Sequence, residues 1–146
     1  MRSKCINPRN PAVYAVVFDK GDELLEGLNQ FAADKVLSAS QISAIGAFSS
    51  LTLGYFDRDT KEYRRIVVDE QVEVLSLLGD ITIENGNPKV HAHAIVGCSD
   101  GTTRGGHVMK AVIWPTLEVI ITESPAYLVR KQDPDTGLTL IDPDIH

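Results

Sequence analysis

From Ala12 to Phe18 the chain runs Ala-Val-Tyr-Ala-Val-Val-Phe and stops at Asp19-Lys20-Gly21. A short apolar, β-branched and aromatic run closed by turn residues predicts a buried strand. The period then changes. Leu24, Leu25, Leu28, Phe31, Ala32 and Val36 recur at the spacing of one helix face, and Asp22 and Glu23 precede them. Acidic residues in a first turn suit the helix dipole, so an amphipathic helix is predicted over Asp22 to Lys35.

Beyond the helix the apolar period returns to two. Strands are predicted over Ile42 to Phe56, with a bend or bulge at Gly46 or Gly54, and over Tyr63 to Val68 after the turn Asp57 to Lys61. Two short strands, Val72 to Leu78 and Ile81 to Glu84, are expected on either side of a Gly79-Asp80 turn. Asn85-Gly86-Asn87-Pro88 turns the chain into Lys89 to Gly97, and Ser99-Asp100-Gly101 turns it again into Thr102 to Ile113. Trp114-Pro115 interrupts the run before a last strand, Thr116 to Thr122. The expected fold class is α+β, with one main amphipathic helix packed on a largely antiparallel, barrel-like sheet.

Residues 1–123 read as a single domain. The remaining 124–146 hold Pro125, Pro134, Pro143 and several aspartates, so this tail is not expected to continue the sheet. Its Tyr127, Leu128, Val129, Leu138, Leu140 and Ile141 leave open a loose coil or docking on the domain or a neighbouring subunit.

Composition narrows the function. With 146 residues and 43% apolar content, one core forms without disulfide help. Twenty acidic against 14 basic residues leave a net charge of −6, which opposes binding modes that neutralise many phosphates. Cys5 and Cys98 are too few for a disulfide framework and read as free thiols of a reducing compartment. The opening Met-Arg-Ser-Lys-Cys-Ile-Asn-Pro lacks the apolar stretch of a secretion signal, and Ala12 to Phe18 falls short of the roughly 20 residues of a membrane span. A soluble cytoplasmic protein is expected.

The chemistry centres on histidine. In Lys-Val-His-Ala-His-Ala-Ile, strand alternation points His91 and His93 to one face and Val90, Ala92 and Ala94 to the other. Whether His107 joins them depends on the intervening loop. A three-residue loop with Gly101 in the left-handed region pairs Cys98 with Thr102 and sets His93 opposite His107. Opposed Cβ atoms then lie about 5 Å apart, and His91 is a diagonal neighbour at about 7–8 Å, close enough to share one ion. A two-residue Asp-Gly loop would instead set Ala94 opposite His107 and turn that ring away, and a bulge at Gly105-Gly106 would also shift the register.

Three neutral imidazoles without a fourth protein ligand suit zinc with a position open to water; nickel, copper or iron would accept the same donors. The plainer alternative is three polar residues on a solvated sheet face. Cupin barrels share His-x-His but continue to a glutamate ligand. Here Ala94-Ile95-Val96-Gly97-Cys98 follows, with no carboxylate before Asp100.

Several separated segments carry a wider resemblance. Gly-Asp-Glu-Leu-Leu-Glu-Gly-Leu at 21–28, Ala-Ile-Gly-Ala-Phe-Ser-Ser-Leu-Thr-Leu-Gly-Tyr-Phe at 44–56, Glu-Val-Leu-Ser-Leu-Leu-Gly at 73–79, His-Ala-His at 91–93 and Gly-Gly-His at 105–107 stand in this order. Together they resemble a prokaryotic plants-and-prokaryotes-conserved (PPC) domain, from about Ala12 to Thr122. The resemblance implies an α+β fold with an antiparallel barrel-like sheet, a homotrimer, and a zinc site at the residues matching His91, His93 and His107. Plant nuclear members add an AT-hook with an Arg-Gly-Arg-Pro core. That core is absent here, and the basic pairs Arg64-Arg65 and Arg130-Lys131 do not replace it.

Three functions follow as expectations. The first is a homotrimeric zinc-binding module with a regulatory or interaction role. The second is a metal-dependent hydrolase or lyase, with Glu73 or Glu118 as candidate proton acceptors, although carboxylates on an exposed strand face explain both more simply. The third, DNA binding by family analogy, is opposed by the acidic charge. Arg104 could hold an anion or be solvated. Ser49 and Ser50 lack a nucleophile elbow, Gly46 and Gly54 suit close backbone approach, Trp114 suits packing at a strand end, and His146 has no assignable partner.

Overall fold

The computed structural model describes residues 1–7 and 10–145, of which 3–7 by backbone alone. His146 and the Cys5 side chain lie outside the described residues. The elements are β1 (Arg2–Asn7), β2 (Ala12–Phe18), α1 (Leu24–Lys35), β3 (Ala39–Asp57), β4 (Glu62–Val68), β5 (Val72–Glu84), β6 (Asn87–Gly97), β7 (Thr103–Glu123), β8 (Val129–Gln132) and β9 (Thr139–Asp142).

Helix α1 starts two residues later than predicted because Glu23 is its cap. The Glu23 carboxylate accepts the Glu26 N–H at 2.7 Å and the Ala111 N–H at 3.0 Å, tying the helix start to β7. Leu24, Leu28, Phe31 and Ala32 face the sheet, and Phe31 meets Tyr14 edge-on at 5.5 Å. Each fully buried Leu or Phe contributes roughly 1.5–3 kcal/mol. Val36, expected on this face, instead closes the helix with φ 55° and is 82% exposed. The chain must reverse there to enter β3, so capping overrides the apolar spacing.

The sheet is antiparallel apart from one parallel contact, and it forms a partial ring. β3 pairs β5 and β7, β5 pairs β6, and β6 pairs β7. β2 and β1 extend it beyond β7, and β4 pairs β3. This is a partial ring rather than a complete barrel. Phe18, Phe48, Leu53, Leu77, Ile113 and Ile121 fill its interior under the helix.

Two expected breaks lie inside continuous strands. Gly79-Asp80 sits inside one continuous β5, where Gly79 lies opposite Ala92 and a Cβ would collide with the His91 carbonyl oxygen. Glycine here permits close strand approach rather than a turn. Trp114-Pro115 lies within a continuous β7, and the pairing with β3 steps from Gly46↔Leu117 to Phe48↔Ile113 across it, so the irregularity is a bulge. At Gly46, φ is 148° and a Cβ would meet the Thr116 carbonyl oxygen.

The C-terminal segment also joins the sheet. β8 and β9 form a hairpin, and β8 meets β5 in parallel at Ile83↔Val129. Two main-chain bonds seat it, Ile83 N–H to Leu128 O at 2.8 Å and Leu128 N–H to Ser38 O at 3.1 Å. The sequence of β8, Val-Arg-Lys-Gln, has no apolar alternation. Its strand form comes from the edge it meets.

Candidate metal centre

β6 alternates as its sequence dictates: Val90, Ala92, Ala94 and Val96 enter the core, while His91 and His93 face outward. The loop after it has three residues. Cys98 N–H bonds Thr102 O at 2.8 Å, Gly101 N–H bonds Cys98 O at 2.9 Å, and Gly101 has φ 81°. The Asp100 carboxylate accepts the Thr102 N–H at 2.9 Å and stiffens the turn. His93 consequently pairs with His107, in the register that this loop form requires. Gly106 makes this possible on the other side, since a Cβ there would lie 2.7 Å from the Gly54 carbonyl oxygen of β3.

The three imidazoles converge, with ring centroids 5.1–5.4 Å apart. One ring nitrogen from each lies within 4.8 Å of the others, and the Nε2 atoms of His91 and His93 are 3.3 Å apart. Nδ1 of His107 is buried without a hydrogen-bond partner. A buried unpaired ring nitrogen is costly unless something binds in the cluster. Burial, followed by the neighbouring imidazoles and then Lys89 and Arg130, holds His107 down to about 4. Burial, then Arg130, lowers His91 as well, although Asp80 opposes this. Both rings are therefore neutral at pH 7, the form that binds a metal.

Two further residues grip His91. Asp80 lies opposite it across the β5–β6 ladder, with Oδ2 3.8 Å from His91 Nδ1. Arg130 reaches in from β8 and donates to His91 Nδ1 at 3.0 Å, Asp80 Oδ1 at 2.7 Å, Thr82 Oγ1 at 2.8 Å and Thr139 O at 2.9 Å. An ion on Nε2 of His91 would leave its proton on Nδ1. That nitrogen could then only donate, to Asp80 and not to Arg130, whose guanidinium has no acceptor. The donor set fits a metal, and Asp80 is the residue that would orient it.

Glu73 and Glu118 are not brought to this cluster. Glu73 faces Gly97, four residues along β6 from His93, or ~13 Å at the usual strand rise. Glu118 pairs Ile45 on another part of the ring. Arg104 is exposed and bonds Thr102 and Thr103 of its own turn. The Ser49 hydroxyl points to the Val112 carbonyl at 3.4 Å, with no base beside it. Sequence reasoning passed over Asp80, placing it in a turn, and considered Arg130 only as part of a basic pair that does not replace the AT-hook core.

The sequence profile of the Plants and Prokaryotes Conserved (PCC) domain matches residues 7–125. The chain belongs to this family. A solved structure of a metal-containing protein from Archaeoglobus fulgidus is 31% identical, covers 97% of this PCC chain and 98% of its own, and superposes with a TM-score of 0.84. A candidate DNA-binding protein from Bacteroides thetaiotaomicron is 32% identical over 89% of this chain and 91% of its own, with a TM-score of 0.86. The bifunctional protein GlmU of a Synechococcus strain is 33% identical over 128 residues, 86% of this chain. The chain spans only 19% of that protein's length. Among the described residues of this PCC domain, no helix is long and apolar enough to cross a membrane.

Proposed function

We propose that this PCC domain binds one zinc ion through His91, His93 and His107 and acts as a homotrimeric module with a regulatory or interaction role. The observation that carries the metal reading is the convergence of three imidazoles, with Nδ1 of His107 buried and unpartnered. The metal-containing archaeal relative supports it. Support for self-association is the set of exposed apolar side chains Ile45, Leu75, Leu78, Ile95 and Ile120 on the neighbouring strands β3, β5, β6 and β7, since grouped exposed apolar side chains mark association surfaces. Metal analysis with native mass measurement tests both parts. The wild type should carry one zinc per chain in a trimer, and His93→Ala should lose the zinc. A metal-free wild type would sink the ion, and a monomer mass would sink the trimer.

A second reading, a metal-dependent hydrolase or lyase, is favoured by the pocket that opens on His91 and His107. Bound zinc would bring the pKa of its water toward neutrality. In that reading the nearest carboxylate is Asp80, which orients His91, and neither Glu73 nor Glu118 is placed to accept a proton.

A further inference from the structure

The pocket beside the histidines has a composition that the metal reading does not explain. It holds about 360 Å³, room for ~12 waters at their liquid volume and within the range of small-molecule sites. Its lining combines His91, His107, Lys89 and Arg130 with the apolar Leu25, Met109, Leu138 and Leu140. Among the described residues no carboxylate lines it, in a chain whose net charge is −6.

The two cations differ. Arg130 is committed to Asp80, Thr82 and Thr139. The Lys89 side chain is exposed and makes no ion pair or hydrogen bond among the described residues. Strand alternation puts it on the same face of β6 as His91 and His93. The mouth of the pocket thus offers one uncommitted positive charge beside neutral imidazoles, and an apolar wall closed partly by the β8–β9 hairpin.

We infer that this pocket binds a small organic monocarboxylate, its carboxylate between Lys89 and the histidines and its apolar body against Met109, Leu138 and Leu140. One free cation matches one negative charge; a dianion such as a phosphate monoester would leave a charge unpaired beside apolar surface. The inference rests on the metal reading only in that a bound ion would give the carboxylate a second partner.

Calorimetric titration with hexanoate and benzoate tests it, with hexanol and hexylammonium as neutral and cationic controls and zinc content measured on each preparation. The acids should bind saturably and about tenfold or more tighter than either control. Lys89→Glu and Lys89→Met should each weaken them about tenfold with unchanged zinc and melting temperature. Leu140→Glu, at the apolar end, should weaken them likewise. Absence of saturation, hexanol binding as tightly as hexanoate, or Lys89 variants that bind like wild type would overturn the inference. Protein that retains zinc but ignores the acids refutes the pocket alone. Protein without zinc that binds the acids through Lys89 refutes the metal reading alone.

Discussion

Replacing Arg130 with methionine separates what holds the C-terminal hairpin from what holds the ion. Methionine keeps much of the side-chain length but removes every donor. The Arg130 side chain is 6% exposed and Thr82 is fully buried, so the lost bond to Thr82 Oγ1 leaves a hydroxyl without its partner, at about 1 kcal/mol. The lost pair with Asp80 would cost about 3–5 kcal/mol if both charges were sealed. Asp80 is 29% exposed, however, and water recovers part of its solvation, which reduces this share to about 1–2 kcal/mol. The total of about 2–3 kcal/mol corresponds to a fall in melting temperature of about 4–12 °C for a chain of this size. Zinc affinity should move the other way or not at all, because the competing donor at His91 Nδ1 is gone and Asp80 is released to accept that proton. Thermal melts of metal-free protein and zinc competition against a chromophoric chelator measure the two effects. A variant that melts with wild type would show that the guanidinium does not anchor the hairpin. Parallel loss of zinc would show that Arg130 positions His91 rather than opposing the metal-bound tautomer.

Asp80→Asn should weaken zinc about 10–100-fold, since the amide is a poorer acceptor for the Nδ1 proton, and the same chelator competition reads it. In metal-free protein the unfolded chain takes up a proton at His107 near 6.5 and the folded chain only near 4. The unfolded state therefore binds more protons between these values. Stability is full above about pH 6.5, falls as the pH drops toward 4 and levels below it; His91, also lowered, adds in the same direction. Urea midpoints at pH 7 and 5 should show this loss, and His107→Ala should flatten it. Gly46→Ala should cost about 1–3 kcal/mol from its φ of 148° alone, with more from the clash against the Thr116 carbonyl. An unchanged urea midpoint would refute the close approach of β3 and β7.

The elements that sequence reasoning misplaced share one feature. Gly79-Asp80 and Trp114-Pro115 carry turn signals, yet each lies within a strand: Gly79-Asp80 is laddered to β3 and β6, and Trp114-Pro115 bulges between the pairs Phe48↔Ile113 and Gly46↔Leu117, so the ladder around each outweighs local preference. Val36 matched the apolar spacing but faces water, because the helix must end where β3 begins. Alternation along β6 and the three-residue loop at Ser99-Asp100-Gly101 were legible because neither depends on anything more than a few residues away.

The amino-acid order by itself determined the helix, most of the strands, the family and the face shared by His91 and His93, and it made His107 the ring that the loop length would bring in. All of these follow from periodicity and turn geometry acting over short stretches of chain. Only the tertiary structure decided that Asp80 and Arg130 surround His91, that a tail rich in proline and aspartate supplies a strand, and that Lys89 lines a pocket with no carboxylate among its described lining residues. Arg130 is 39 residues from His91 and 50 from Asp80 along the chain. Contacts of that range are set by how the ring closes, and the energies that close it are summed over the whole core.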